Sequence, residues 1–209
     1  MLRGKDETLN TRSWDVEYLK GLERKNHVKI KTVHAPIDFE LSPQEYLPKT
    51  CSFVKEIGAD FLIMHLPGDK EKYSEYIRWF DYFKGTIDKQ EIVILIENLV
   101  KNHPHSGPET FNQFPNFCFD VSHSLQDHLD LIAVIEKMQN IRQFHLSYFD
   151  GQNDHLKLTL NKELFKQIIS LAPNAYRCLE LKPHAFLSSD DKEAIIRELK
   201  QELEFVKNL

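Results

Sequence analysis

The sequence predicts an α/β fold in which a parallel sheet curls into a (β/α) barrel. Short runs of β-branched and aliphatic residues alternate with amphipathic helical patterns, which is typical of parallel strands joined by helices. The run Ile-Val-Ile-Leu-Ile at residues 92–96 is apolar throughout, as expected of a strand buried on both faces. Six apolar runs each lead into a side chain that can bind a metal: His34, His65, Glu97, Asp120, His145 and Glu180.

These six side chains can meet only if the sheet curls. The carboxyl ends of parallel strands form the functional face of α/β folds. A flat sheet spaces its strands by about 4.8 Å and would spread six strand ends over roughly 25 Å. The sequence contains no glycine-rich phosphate loop that would support a flat nucleotide-binding sheet. A barrel with a site at the carboxyl ends of its strands is therefore favoured.

The first half of the chain is expected to hold three of the strands. Ser13 is a candidate N-cap for the first helix, which ends near Asn26. In the first strand, residues 28–34, Lys29 and Lys31 alternate with apolar residues, a pattern that suits an edge strand. The elements that follow are a helix at 43–57 between a capping box and Gly58, a strand at 61–64, a helix at 70–83 before Gly85, and the strand at 92–96.

The second half is expected to hold the other three strands. It opens with residues 101–108, which are rich in Pro, Gly and Asn and are predicted to form a loop over the site. Strands at 117–119, 141–144 and 176–179 then lead into three of the candidate ligands. Helices are indicated by apolar residues at helical spacing within 129–138, 161–169 and 190–206.

Length and composition favour a single domain of residues 1–209 in the cytoplasm. The chain of 209 residues is long enough for one sizeable core. Its N-terminus is too polar for a signal peptide, and no apolar stretch is long enough to suggest a membrane partner. Cys51, Cys118 and Cys178 have no C-x-x-C spacing and are expected to be reduced core residues. The net charge of −5 argues against a nucleic-acid partner, although a local basic groove is compatible with it.

Four of the candidate ligands together suit one divalent metal. Glu97, Asp120, His145 and Glu180 supply three carboxylates and one imidazole, an oxygen-rich set for Mn²⁺, Mg²⁺ or Co²⁺ that Zn²⁺ also accepts. Further imidazoles could complete a second metal site or bind a small-molecule substrate, and they belong to His34, His65, His123 and His155.

Several short motifs resemble those of one superfamily, in the same order along the chain. They are Thr-Val-His34-Ala-Pro, Met-His65-Leu-Pro-Gly, Ile-Glu97-Asn, Asp120-Val-Ser-His123, His145-Leu-Ser, Asp154-His155 and Leu-Glu180. In this order the chain resembles the xylose isomerase-like TIM barrels over nearly its whole length. That superfamily includes sugar isomerases and epimerases and the endonuclease IV type of apurinic-site nuclease.

The resemblance implies roles for the matching residues. In the epimerase branch, Glu97, Asp120, His145 and Glu180 would hold a single metal, and Glu97 and Glu180 would also act as catalytic acid and base. In the nuclease branch the same residues, with His34 and His65, would form a two-metal zinc centre. His123 and an Asp-x-His pair would hold a third ion, but the Asp position of that pair is Asn153 here, so a third site would need Asp154 or Asp150 as a substitute ligand.

The chain departs from the superfamily at its N-terminus. Members have two strands before the one that matches residues 28–34, whereas only the polar residues 1–10 precede the first helix here. We therefore expect a TIM-type barrel that lacks the first one or two strands and has six clear parallel strands. An open barrel edge exposes core and unpaired backbone, so a homodimer across that edge is expected unless the helix at 13–25 and residues 1–10 cover it in a monomer. Alternatively, residues 1–3 are a remnant strand and another chain supplies the missing part.

Three functions follow from these expectations. The first is a divalent-metal-dependent isomerase or epimerase of a small sugar or polyol, with the paired glutamates as acid and base. The second is an endonuclease IV-like phosphodiesterase that acts on abasic DNA. The third is a degenerate barrel without catalytic activity.

Overall fold

The protein's computed structural model describes residues 15–35, 42–87, 92–100, 103, 107, 111–187 and 191–209, with the side chains of residues 80–87 excepted. The chain divides into two compact units between Glu97 and Asn98. The expectation of one domain over residues 1–209 stays a prediction.

The first unit contains a three-stranded parallel sheet with helices as connections. The strands lie in chain order, β1 beside β2 and β2 beside β3. All four residues of β2 are buried, which agrees with the apolar run Phe-Leu-Ile-Met. The elements are α1 (Val16–Asn26), β1 (Thr32–His34), α2 (Pro43–Ile57), β2 (Phe61–Met64), α3 (Lys70–Ile87) and β3 (Val93–Glu97).

The helix ends of this unit only partly follow the sequence signals. Asp15 caps α1 by accepting hydrogen bonds from the backbone of the first turn, and the expected cap at Ser13 lies outside the described residues. Gly58 ends α2 in the left-handed conformation (φ 79°), as predicted. Gly85 does not end α3, which continues to Ile87, because a single glycine weakens a helix by only about 1 kcal/mol.

Strand β1 is shorter than the predicted 28–34 strand. The two lysines of the predicted strand, Lys29 and Lys31, precede β1 and form ion pairs. Lys29 and Lys31 place their ammonium groups 3.4 and 2.5 Å from the Asp60 carboxylate. The hydrogen bond from Lys31 and the charge of both lysines lower the pKa of Asp60. Within the described part of the chain β1 has a strand partner on one side only, namely β2. Residues 1–10, expected to precede this edge, lie outside that part.

The second unit contains another three-stranded parallel sheet, in the order β4, β5, β6. Its core includes the rings of Phe119 and Phe144, which are fully buried and pack edge to face. The elements are β4 (Phe117–Asp120), α4 (Val121–Gln126), α5 (Leu131–Glu136), β5 (Ile141–Leu146), a 3-10 helix (Leu158–Asn161), α6 (Lys162–Leu171), β6 (Tyr176–Leu179), a 3-10 turn (Pro183–Ala185) and α7 (Lys192–Lys207).

The three cysteines are free thiols, as expected, but only two of them lie in the core. Cys51 and Cys118 are buried, Cys178 is half-buried, and all three are free thiols. Burial raises the pKa of the Cys51 thiol to about 11, so this thiol is unreactive at neutral pH. Among the described residues, no helix has the length and apolar character needed to cross a membrane.

Candidate metal centre

The first unit brings three candidate ligands together at the carboxyl ends of its strands. His34 ends β1, His65 follows β2 directly, and Glu97 ends β3. The Nε2 atoms of His34 and His65 each lie 2.8 Å from the same oxygen, Oε2 of Glu97. All three side chains are at most 3% exposed. We call His34, His65 and Glu97 the first triad.

The hydrogen positions in the first triad suit a bound cation. Nδ1 of His34 lies 2.7 Å from the carbonyl oxygen of Ala35. A carbonyl can only accept, so Nδ1 carries the hydrogen and a neutral ring then presents a bare Nε2 to the Glu97 carboxylate. A cation between two such lone pairs removes their repulsion. The donor set and its geometry therefore fit a metal ion.

The second unit brings three more candidate ligands together. Asp120 ends β4 opposite His145 in β5, and Glu180 follows β6 directly. Nδ1 of His145 lies 2.8 Å from Oε2 of Glu180 and 4.0 Å from Oδ2 of Asp120. Asp120 and His145 are fully buried, whereas the Glu180 side chain is 13% exposed. We call Asp120, His145 and Glu180 the second triad.

The second triad also fits a metal ion. One ligand atom from each of its residues lies within 4.8 Å of those of the other two. Two carboxylates held this close without a cation would repel each other, and burial strengthens that repulsion. The sequence-based prediction that Glu97 shares one ion with the second triad stays a prediction.

His123 and His155 lie near each other in the second unit. Their rings are 5.6 Å apart, and Nδ1 of His123 donates to the carbonyl oxygen of Asn98 at 2.9 Å. His155 adopts the left-handed conformation (φ 53°), which is uncommon for a residue with a side chain. The Ser147 hydroxyl lies 2.9 Å from Nδ1 of His155, and the Ser122 hydroxyl accepts a hydrogen bond from the backbone nitrogen of His155. The two serines therefore hold both the ring and the backbone of His155 in place.

The expected third metal ion does not fit the residues around His155. Lys182 binds the neighbouring carboxylate of Asp154 at 2.7 Å and so already neutralises it. Asp150 lies in an exposed turn, where it accepts from the backbone nitrogens of residues 152 and 153. In the part of the chain that the structure describes, no group of three or more close ligand side chains includes His123 or His155. Their other predicted role, substrate binding, is compatible with the geometry.

Burial keeps His155 in its neutral form. Desolvation is the main cause that lowers the pKa of His155 to about 4; the charges of Lys182 and His123 also lower it, whereas Glu180 and Asp154 oppose the shift. A neutral imidazole with Nδ1 held by Ser147 can exchange a hydrogen bond with a substrate hydroxyl through Nε2.

Sequence reasoning missed two residues that support this part of the site. Ser147 lies two residues after His145, and Lys182 lies two residues after Glu180. Residues two apart in an extended chain point to the same side, and this spacing was the available signal. Of the loop predicted at residues 101–108, only His103 and Gly107 are among the described residues.

Known proteins share the fold of this chain, whereas its sequence matches no family model. No family model and no curated protein matches the sequence. Among solved structures, a D-tagatose 3-epimerase-like protein has a TM-score of 0.64 at 18% identity, over 92% of this chain and 84% of that one. The chain has the xylose isomerase-like TIM-barrel fold. The predicted fold class, an incomplete α/β barrel of this type with six parallel strands, is confirmed.

Two further solved structures share this TIM-barrel fold. A protein from Thermus thermophilus, soaked with ZnCl₂, has a TM-score of 0.61 at 20% identity, over 93% of this chain and 86% of that one. A xylose isomerase domain-containing protein from Salmonella typhimurium LT2 has a TM-score of 0.59 at 17% identity, over 90% and 80%. At these identities the likeness concerns the fold, since one barrel supports many reactions.

Proposed function

We propose that this protein is a divalent-metal-dependent isomerase or epimerase that acts on a small sugar or polyol. The observation that carries the proposal is the buried second triad at the carboxyl ends of three parallel strands. Functional groups of TIM barrels collect at this end of the strands. The similarity in fold to a D-tagatose 3-epimerase-like protein supports the same reaction class.

The ligand set also favours a particular kind of ion. We propose Glu97, Asp120, His145 and Glu180 as its ligands, an oxygen-rich set with one imidazole that suits Mn²⁺, Mg²⁺ or Co²⁺. When bound, such an ion supplies Lewis acidity that makes a carbon-bound hydrogen next to a carbonyl more acidic.

The two glutamates are the proposed acid and base. Glu180 is the least buried member of the second triad, with 13% of its side chain exposed, so we propose that its carboxylate is the one that meets the substrate. It would take the proton from the carbon beside the carbonyl, and Glu97 is proposed as its partner in returning a proton. His155, neutral because it is buried, would hydrogen bond to a substrate hydroxyl without adding charge.

Proton exchange in D₂O tests this proposal directly. The metal-loaded protein is incubated with a panel of ketoses, aldoses and polyols, and deuterium incorporation at carbon is followed by NMR. We expect exchange and epimerisation or isomerisation of at least one substrate. Glu180→Gln should abolish both reactions because it keeps the volume and removes the proton acceptor.

Glu163→Gln is the matched control, since Glu163 is an exposed helical residue that pairs with Lys166 at 2.8 Å. This variant should exchange deuterium like the wild type. Full turnover in metal-loaded Glu180→Gln would contradict the catalytic role of Glu180. Global unfolding of that variant would instead assign the second triad a structural role.

The first triad favours a second candidate function. Two histidines on one carboxylate oxygen would suit a second ion, as the resemblance to endonuclease IV-type nucleases implies. Such a centre would prefer Zn²⁺ because of its imidazole ligands. Incision of a duplex with a single abasic site would support this function, and the net charge of −5 counts against it. A protein inactive in both assays would be the non-catalytic barrel.

A further inference from the structure

The side chain of Asn98 replaces a strand partner for Asp120. Its Oδ1 accepts from the backbone nitrogen of Asp120 at 2.7 Å, and its Nδ2 donates to the Asp120 carbonyl at 3.0 Å. Both backbone groups of a residue in a parallel strand point to the same side, so one amide can satisfy both. Asn98 is 2% exposed and its Nδ2 also reaches Ser124 at 3.0 Å, so the amide has no freedom to turn.

This arrangement fixes the direction of the Asp120 carboxylate. Oδ1 of Asp120 is already occupied, because it accepts from the backbone nitrogen of His123 at 2.7 Å and caps α4. Oδ2 is the oxygen that faces His145. Because Asn98 holds the backbone of Asp120 and the first turn of α4 holds Oδ1, the orientation of Oδ2 is fixed.

Asn98 also orients a candidate substrate-binding residue. Its backbone carbonyl accepts the Nδ1 hydrogen of His123 at 2.9 Å. In the neutral ring the lone pair is then on Nε2. One residue thus sets the orientation of a proposed metal ligand and the tautomer of a neighbouring histidine.

We propose that Asn98 is a positioning residue for the metal centre, because its amide holds Asp120 so that Oδ2 is presented with His145 and Glu180 as one ligand set. This inference rests on the proposed function. It assigns Asn98 no contact with substrate or ion. Partners that orient metal ligands typically change metal affinity 10- to 100-fold when they are removed.

Asn140 provides a matched control in the same unit. It is half-buried, and its Nδ2 donates to the backbone carbonyls of Phe111 and Phe114 at 2.7 and 2.6 Å. It precedes β5 and therefore lies at the opposite end of that strand from His145. Loss of either amide should cost folding stability, but only loss of Asn98 should alter the second triad.

The test compares Asn98→Ala and Asn140→Ala with the wild type, using Co²⁺ as the probe. Co²⁺ affinity is measured by competition with a chromophoric chelator, the visible spectrum reports ligand geometry, and thermal unfolding without metal reports folding. We expect Asn98→Ala to bind Co²⁺ roughly 10- to 100-fold more weakly, with an altered spectrum. Asn140→Ala should be destabilised but bind Co²⁺ within about twofold of the wild type.

The outcomes separate this role from the proposed function. If the wild type binds Co²⁺ and Asn98→Ala binds it equally well, the positioning role is overturned while the metal centre stands. If the wild type does not bind Co²⁺, both are overturned. Should Asn98→Ala fail to fold, Ser124→Ala removes one partner of the amide together with the hydrogen bond from the Ser124 hydroxyl to the Asp120 carbonyl at 2.9 Å, and we expect a loss of about threefold to tenfold. An unchanged affinity in that variant would overturn the role.

Discussion

At the scale of single residues, the buried imidazole of His155 makes stability depend on pH. Its pKa is about 4 in the folded chain and 6.5 when exposed. At pH values between these two, His155 binds a proton in the unfolded chain but not in the folded chain. The free energy of unfolding therefore falls as the pH drops from about 6.5 to 4. The shift corresponds to at most about 3 kcal/mol, and we expect about 1 to 2 kcal/mol after solvent screening.

Urea unfolding of metal-free protein between pH 7.5 and pH 4 measures this effect. His155→Asn should flatten the dependence, because asparagine tolerates the left-handed conformation and does not titrate. His128→Asn is the control, since His128 is exposed and has nearly the same backbone conformation (φ 56°). An equal pH dependence in wild type and His155→Asn would contradict the assignment.

The sequence alone predicted the six candidate ligands at the strand ends but not what orients them. His145 and Glu180 were predicted because each follows an apolar run, and parallel strands end on one face. Asn98 carries no such signal, since an asparagine after a strand is also common in loops. Its role follows from contacts with Asp120, 22 residues further along the chain, and sequence periodicity does not predict such contacts.

At the scale of elements, a buried carboxylate of α7 holds the 3-10 helix that follows His155. Glu202 is 1% exposed and accepts from the backbone nitrogens of Leu158 and Thr159 at 2.9 and 3.2 Å, and also from the Thr159 hydroxyl. Glu202 therefore caps this short helix, as an N-cap side chain caps a longer one.

Glu202→Ala leaves the backbone nitrogens of buried Leu158 and half-buried Thr159 without their acceptor. Hydrogen bonds to a charged group contribute roughly 1.5 to 3 kcal/mol each, so we expect a loss of about 3 kcal/mol in the free energy of unfolding. Chemical denaturation measures it. Glu204→Ala on the exposed side of the same helix should cost less than about 0.5 kcal/mol. A loss of the same size in both variants would contradict the capping role.

The sequence predicted the order and type of the elements correctly, but it predicted the residues at which they begin and end less accurately. Gly58 ended α2 as predicted, because a left-handed position there suits glycine. Gly85 did not end α3, since position alone does not show which conformation a glycine takes. Strand β1 begins only at Thr32, and before it the backbone nitrogen of Ile30 donates to the Glu23 carboxylate instead of to a strand.

At the scale of the whole molecule, the homodimer across the β1 edge stays a prediction. Val28 near this edge is 60% exposed, and Tyr18 on α1 is 61% exposed. Burial of such apolar surface favours association. We expect sedimentation velocity at micromolar concentration to show a dimer that Val28→Asp dissociates. Leu160→Asp, which changes an equally exposed residue (56%), should leave the dimer intact. A monodisperse wild-type monomer would contradict the prediction.

The fold as a whole was the most predictable level. Alternation of strand and helix, together with the order of the short motifs, predicted the barrel type that the solved structures confirm. The reaction was less predictable because TIM barrels with the same strand-end residues perform different chemistry.

Metal content tests the central claim, namely that the strand-end residues bind a divalent ion. The protein is loaded with Mn²⁺, Co²⁺ or Zn²⁺ in turn, dialysed, and analysed by inductively coupled plasma mass spectrometry. We predict about one tightly held ion per chain for the epimerase centre, or two for the zinc centre, and a loss of at least one ion in His145→Ala. His128→Ala should retain the wild-type content. A folded wild type that retains no ion, or a His145→Ala variant that retains all of them, would contradict the claim.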